Sequence, residues 1–206
     1  MRGLSCLGVL LYHVRVDLWI GWREISYFHE NYSSFARYTS WLSIPTPFFG
    51  YAVLLFFLIS GFCIHYPYTS SAPTPRWKNY FFRRFLRIYP TYLISIGFTA
   101  VISFICLYIW NDQTFDPLKI FSVISLTQNY PIGFGQFHCN PSLWTIPLEF
   151  EFYILYPAAF YLISNKRFLT LWLIVLGLSV ISIILGFLGH QWLTFTSFFL
   201  WPSWLL

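Results

Sequence analysis

Residues 51–64 read YAVLLFFLISGFCI, the centre of a largely apolar run from residue 48 to residue 66. A membrane-crossing helix needs about 20 apolar residues, within a range of roughly 17–25. This run meets that length, and reading outward from it finds more of the same kind. Residues 3–20 form a candidate span before it, and residues 91–110, 143–164 and 169–188 form candidates after it. A last apolar run, 195–206, is only 12 residues long. At roughly 1.5 Å per residue it cannot cross a hydrocarbon core of about 30 Å. The stretch IFSVISLTQN is also too short to span and reads as a re-entrant or interfacial helix. The expected fold is all-α: a polytopic transmembrane helix bundle of about five complete spans plus a partial sixth, with a C-terminus that reads as unfinished. Residues 21–47 read as a polar and aromatic loop, and residues 67–90 as a turn-rich, strongly basic connection.

Composition supports the membrane reading. Of 206 residues, 57% are hydrophobic, 24% aromatic and only 9% charged. Soluble domains average about 25% charged and roughly 45–50% apolar residues. A water-soluble fold of this size leaves too much surface exposed to hide so much apolar material. Ordinary soluble domains, disordered chains and nucleic-acid-binding modules are thereby excluded. The four cysteines, Cys6, Cys63, Cys106 and Cys139, show no C-x-x-C spacing. Three lie in apolar runs, where a buried thiol is the default expectation. The first apolar run lacks an A-x-A-like cleavage site and reads as a retained span.

The formal charge of +5 arises from 12 basic and 7 acidic residues and is best read by position. With the N-terminus in the cytoplasm, Arg2, Arg76, Lys78, Arg83, Arg84, Arg87, Lys166 and Arg167 fall inside. Arg23, Arg37, Lys119 and the acidic loop residues Glu24, Glu30, Asp112 and Asp116 fall outside. That is the positive-inside bias, followed through every turn.

A few polar residues inside apolar runs need a reason. His13 lies well within the first span, where ionisable groups are costly and face a bundle interior or cavity. Arg2 precedes it by close to three helical turns, on the same face and roughly 16 Å away along the axis. Asp17 follows at i+4, within reach of the imidazole, whose tautomer a carboxylate fixes. Catalysis and a polar contact between helices both account for His13, and Asp17 also suits the headgroup level. Glu149 and Glu151 resemble an acid–base pair, but i and i+2 point to nearly opposite sides of a helix. Glu149 therefore suits either function or a buried structural hydrogen bond. Pro147, two residues earlier, marks a helix start or kink. Trp144, Tyr153 and Tyr156 suit an aromatic belt. Arg83, Arg84 and Arg87 pair at i+3 and i+4, and guanidinium forks suit phosphates. From the residues alone, anionic lipid binding or a topology signal is the favoured account of them. His29, His65, His138 and His190 show no metal spacing, and no metal is expected. There is no G-x-S-x-G elbow, Walker loop or Rossmann glycine pattern. Ser60 and Gly61 read as small residues for close helix contact.

Four segments, taken in order, resemble the multi-pass membrane acyltransferases called acyltransferase family 3, which includes surface-polysaccharide O-acetyltransferases. RGLSCLGVLLYH matches the first helix, with Arg-x10-His at Arg2 and His13. FFLISGFCI matches the second-helix block, and RRFLRIYP matches Arg-Arg-x-x-Arg at Arg83, Arg84 and Arg87. SLWTIPLEFEFYILYP matches Trp-Ser-Leu-x-x-Glu at Trp144, Thr145 and Glu149, with Thr145 replacing Ser and Phe150 replacing a second Glu. The likeness covers the whole chain, 1–206, as a partial membrane acyltransferase domain lacking the later spans of a typical member.

The resemblance implies an acyltransferase of the bacterial inner membrane that serves polysaccharide O-acetylation. No cofactor stays bound. Acyl-CoA is the co-substrate on the cytoplasmic side, and a glycan or lipid-linked saccharide hydroxyl is the acceptor. Membrane lipids are the surroundings, and nucleic acid is not a partner. His13 becomes the general base or a transient acyl carrier, and an imidazole with its ordinary pKa of roughly 6.5 suits that work. Glu149 holds the acceptor or His13. Arg2, Arg83, Arg84 and Arg87 bind the donor, while Asp17 and Trp144 orient. The competing reading is a non-catalytic transporter or flippase-like protein, or an inactive fragment.

Overall fold

Backbone groups in lipid have no water to bond, so an open membrane chain must be helical. The computed structural model describes residues 2–18, 20–68, 75–110, 116–131 and 140–205, and all regular structure among them is helical. In order these are α1 (Arg2–Leu18), α2 (Trp22–Tyr27), α3 (Ser34–Ser40), α4 (Ala52–His65) and α5 (Trp77–Trp110). They are followed by α6 (Pro117–Ile124), α7 (Thr145–Ser164), α8 (Phe168–Phe187) and α9 (Ser197–Leu205). Four helical stretches are long and apolar enough to cross a membrane: Ser34–Tyr68, Trp77–Ile109, Ser142–Ser164 and Phe168–Phe187. The chain forms two units, Met1–Ile64 with Ser203–Leu206, and His65–Pro202.

In the first unit the expected span at residues 3–20 is shorter than its sequence suggests. Its apolar part is Gly3–Val16, about 21 Å of helix against a core of about 30 Å. The expected loop at 21–47 is instead helical. Ser33 caps α3 by accepting from the Ala36 amide at 3.2 Å. Thr39, Ser40, Ser43 and Thr46 then donate their hydroxyls to carbonyls of the preceding turn at 2.5–2.9 Å. This ladder returns each polar group to the helix itself, which lets a hydroxyl-rich stretch continue into α4. Ser60 and Gly61 are buried as expected of small contact residues. A Cβ at Gly61 would collide with the main-chain carbonyl of Trp204, so only glycine admits that approach. The thiols depart from expectation: Cys6 and Cys63 are exposed and Cys106 is half-buried. Apolar helices facing lipid have no need to hide a thiol. Cys139 lies outside the described residues.

In the second unit α5 is one helix of 34 residues, running through Pro90 where a connection and a separate span were expected. A proline in a membrane helix leaves one carbonyl without its usual donor, and local adjustment tolerates this. The Thr91 hydroxyl donates to the Ile88 carbonyl at 2.8 Å, separately from the Leu86 carbonyl that the proline frees. A helix of that length measures about 51 Å, roughly 20 Å more than the hydrocarbon core. The arginine-bearing end lies alongside α7, with Trp77 against Tyr156 and Phe160 and Arg84 over the Tyr153 ring.

The eight-residue α6 does not span. It packs on α5 through Tyr92 and Tyr89, whose hydroxyls donate to the carbonyls of Val123 (2.8 Å) and Ile124 (3.1 Å). Tyr92, Ile96, Val123 and Leu143 form a core there. Helices α6, α7 and α8 all end alike, with left-handed residues at Leu126, Lys166 and Gly189. In each, the next amide reaches back to Ser122, Leu162 or Leu185 at 2.8–2.9 Å. These are Schellman endings, which satisfy terminal carbonyls and reverse the chain.

The α8 pattern is inside-out. Leu171, Val175, Ser179 and Ser182 make its buried face, while Leu173 is 64% and Phe187 89% exposed. Hydroxyls inward and large apolar groups outward suit a lipid surround, where helices gain from close packing and polar glue.

Candidate active site

The N-terminal end of α5 carries Arg83, Arg84 and Arg87 on successive turns, and Arg76 directly precedes it, so all four reach one space. Arg76, Arg83, Arg84 and Arg87 line a cavity of about 620 Å³ with Pro67, Tyr68, Pro75, Asn79 and Tyr80. No acidic side chain is among these lining residues, which leaves four guanidinium groups facing an unneutralised space. Arg83 and Arg87 are exposed, whereas Arg84 is half-buried. The Arg84 guanidinium lies 5.6 Å from the Tyr80 ring centre and 5.5 Å from that of Tyr153. Both are cation–π distances, and they hold the fork in place without cancelling its charge.

Aromatic packing fixes this end of α5 against α7. Tyr80 stacks on Tyr156 with centres 5.4 Å apart, and Trp77 sets its edge on Tyr156 and Phe160 at 6.1 and 5.7 Å. The Tyr80 hydroxyl donates to the Tyr153 carbonyl at 3.4 Å. His65 Nδ1 and the Tyr156 hydroxyl are 3.2 Å apart. Tyr153 and Tyr156 are 2% and 1% exposed, so they are interior residues and not the aromatic belt that their sequence position allowed.

Below the arginines lies Glu149, 5% exposed, in the first turns of α7 with Pro147 two residues before it. Pro147 costs little there, because first-turn amides have no helical partner. Tyr153, one turn on, donates its hydroxyl to Glu149 Oε1. Glu151 points elsewhere, as the i, i+2 spacing requires. Its Oε1 accepts from the Tyr130 hydroxyl at 2.8 Å and its Oε2 from the Ser197 amide at 2.7 Å. Burial and this carboxylate both push the Tyr130 hydroxyl above the ordinary tyrosine range. Glu151 is thus a strut joining the loop after α6 to the start of α9.

The remaining predicted residues are placed as follows. His13 is half-buried on α1, edge-on to the Tyr12 ring at 5.5 Å. The unbroken helix Arg2–Leu18 keeps the three-turn register between Arg2 and His13. The side chains of Arg2 and Asp17 lie outside the described residues, and with them the expected Asp17–His13 contact. Trp144 ends a short 3-10 turn, half-buried, with its ring 5.7 Å from Phe195. Its carbonyl accepts from Asn129 at 2.9 Å. The second unit gathers Arg83, Arg84 and Arg87 at one cavity and joins Arg84 to Glu149 through Tyr153, whereas Arg2 and His13 belong to the first unit. Among the described residues, no group of three or more His, Cys, Asp or Glu gathers as metal ligands.

Sequence reasoning missed Arg76 and Tyr80 as cavity residues. The signal for Arg76 was its spacing of seven and eleven residues from Arg83 and Arg87, one stripe of a helix. Tyr80 carried no signal, since its role depends on packing against α7.

A basic cavity of this kind has the charge to hold a phosphate-bearing ligand. Residues 1–206 match Acyl_transf_3, a family model described as an acyltransferase domain. The chain belongs to this acyltransferase family. No curated protein and no solved structure matches it significantly. The acyltransferase assignment covers the whole chain, and the helical stretches long and apolar enough to span place it in a membrane.

Proposed function

We propose that this membrane acyltransferase moves an acyl group, acetyl in the first instance, from acyl-CoA to a hydroxyl of a glycan or glycolipid. The observation that carries the reading is the acid-free cavity bordered by Arg76, Arg83, Arg84 and Arg87. Coenzyme A bears a pyrophosphate and a 3′-phosphate, and several converging guanidinium groups match that charge and shape. The positive-inside distribution supports a cytoplasmic N-terminus and a cytoplasmic cavity, in a bacterial inner membrane. Arg2 adds a cation at the same side for the donor.

In the proposed reaction the acceptor hydroxyl gives its proton to His13 as its oxygen attacks the thioester carbonyl. The carbon–sulfur bond breaks, and the imidazolium returns the proton to the coenzyme A sulfur. Asp17 orients the imidazole. Glu149, a buried carboxylate, accepts a hydrogen bond from the acceptor, and Trp144 shapes the approach. General-base catalysis contributes about 10²–10⁴-fold. With labelled acetyl-CoA in membranes bearing the full chain, His13→Ala is therefore expected to lower label transfer to glycan at least 100-fold. Unchanged transfer would remove His13 from the mechanism. Glycan crossing the membrane without label transfer would support a transporter instead.

A further inference from the structure

Tyr153 touches both halves of the arrangement described above. Its hydroxyl donates to Glu149 Oε1, and its ring lies 5.5 Å from the Arg84 guanidinium that borders the basic cavity. The second ring on Arg84 belongs to Tyr80, 5.6 Å away, and the Tyr80 hydroxyl is hooked to the Tyr153 carbonyl at 3.4 Å. Arg84 therefore lies over the Tyr153 ring and over a second ring, Tyr80, that is bonded to the Tyr153 backbone.

We infer that Tyr153 is a positioning residue that couples occupation of the basic cavity to the Glu149 carboxylate. An anion in the cavity draws the Arg84 guanidinium toward itself, and the face-on attraction carries the Tyr153 ring with it. A tyrosine ring is rigid beyond two torsions, so any displacement reappears at the hydroxyl. The carboxylate bonded to that hydroxyl turns in response. Only the hydroxyl makes this link, because a phenylalanine would fill the same buried space and leave the ring contact in place. The i, i+4 spacing on α7 brings the two side chains together, and the Tyr80 ring stands edge-on to that of Tyr153 at 6.5 Å. The inference rests on the reading of the cavity as the donor site and of Glu149 as a group that meets the acceptor.

The test uses the full chain in membranes, with labelled acetyl-CoA and label transfer to endogenous glycan as readout. Tyr153→Phe is expected to lower the maximal rate about tenfold and leave the KM for acetyl-CoA within twofold. Glu149→Gln lowers the rate further, and adding Tyr153→Phe to it is expected to cost nothing more, because residues acting as one unit are non-additive. A second tenfold loss in the double variant, or a wild-type rate in Tyr153→Phe, would overturn the coupling and leave the donor-site reading intact. An unchanged acetyl-CoA KM in Arg84→Ala would instead overturn the donor-site reading, and the coupling with it. Should Tyr153→Phe not accumulate in the membrane, 2,3-difluorotyrosine at 153 retains the hydroxyl and makes it more acidic. As a stronger donor to Glu149 it is expected to keep the wild-type maximal rate, and a tenfold loss refutes the coupling.

Discussion

A single guanidinium illustrates how much one side chain's surroundings decide. Arg84 differs from Arg83 and Arg87 in being half-buried, with its guanidinium over two tyrosine rings. Stacked planar cations are the case in which lysine is a poor substitute for arginine. If the cavity holds the donor, Arg84→Lys should raise the acetyl-CoA KM about tenfold, a loss of roughly 1.4 kcal/mol in binding. Arg83→Lys should raise it less, because an exposed fork loses little of its charge interaction on exchange. Steady-state assays over a range of acetyl-CoA concentrations measure both. The arginine motif was legible in the sequence, since Arg84 and Arg83 stand three and four residues before Arg87, on neighbouring turns of one face. Which of the three is stacked was not legible, because the rings that decide it come from Tyr80 and from Tyr153, about 70 residues further along.

At the scale of the element, helix ends were read less well than helix middles. Hydropathy located the apolar cores at α4, α5, α7 and α8, because each lies in a helical stretch long enough for an apolar layer. It placed the boundary of α5 too late: residues 77–90 are charged and read as a connection, yet they extend the same helix. A helix satisfies its own backbone groups whatever side chains it carries, so charged residues do not end it. The chain reversals after α6, α7 and α8 share one Schellman geometry, but only Gly189 among the three left-handed positions is a glycine. Leu126 and Lys166 therefore carry no signal of the turn they make. A left-handed L-residue costs roughly 1–2 kcal/mol, so Lys166→Gly should stabilise the protein by about 1 kcal/mol. Gly189→Ala should destabilise it by a similar amount. Thermal unfolding in detergent, followed by circular dichroism, would show melting temperatures moving in opposite directions.

For the whole molecule, orientation is the property on which the proposed chemistry depends. A cavity for a cytosolic donor must open to the cytosol, and the lysine and arginine distribution puts Arg76 and Lys166 on that side. In a chain cleared of native cysteines, Arg76→Cys and Lys166→Cys should label with an impermeant maleimide only in inverted vesicles. Asp116→Cys, at the N-terminal cap of α6, should label only in intact cells. Labelling of all three from one side would reject the arrangement.

Membrane residence, helical class and acyltransferase kinship followed from local chain properties alone: run length, charge placement and short motifs on single segments. Such features survive in a linear reading because the bilayer acts on each span independently of its neighbours. The inward turn of Glu149, the departure of Glu151 to Tyr130 and Ser197, and the seat of Arg84 over Tyr153 depended on contacts between segments far apart in the chain. Those were settled by packing, since a buried polar group takes whichever partner the folded neighbours bring within reach.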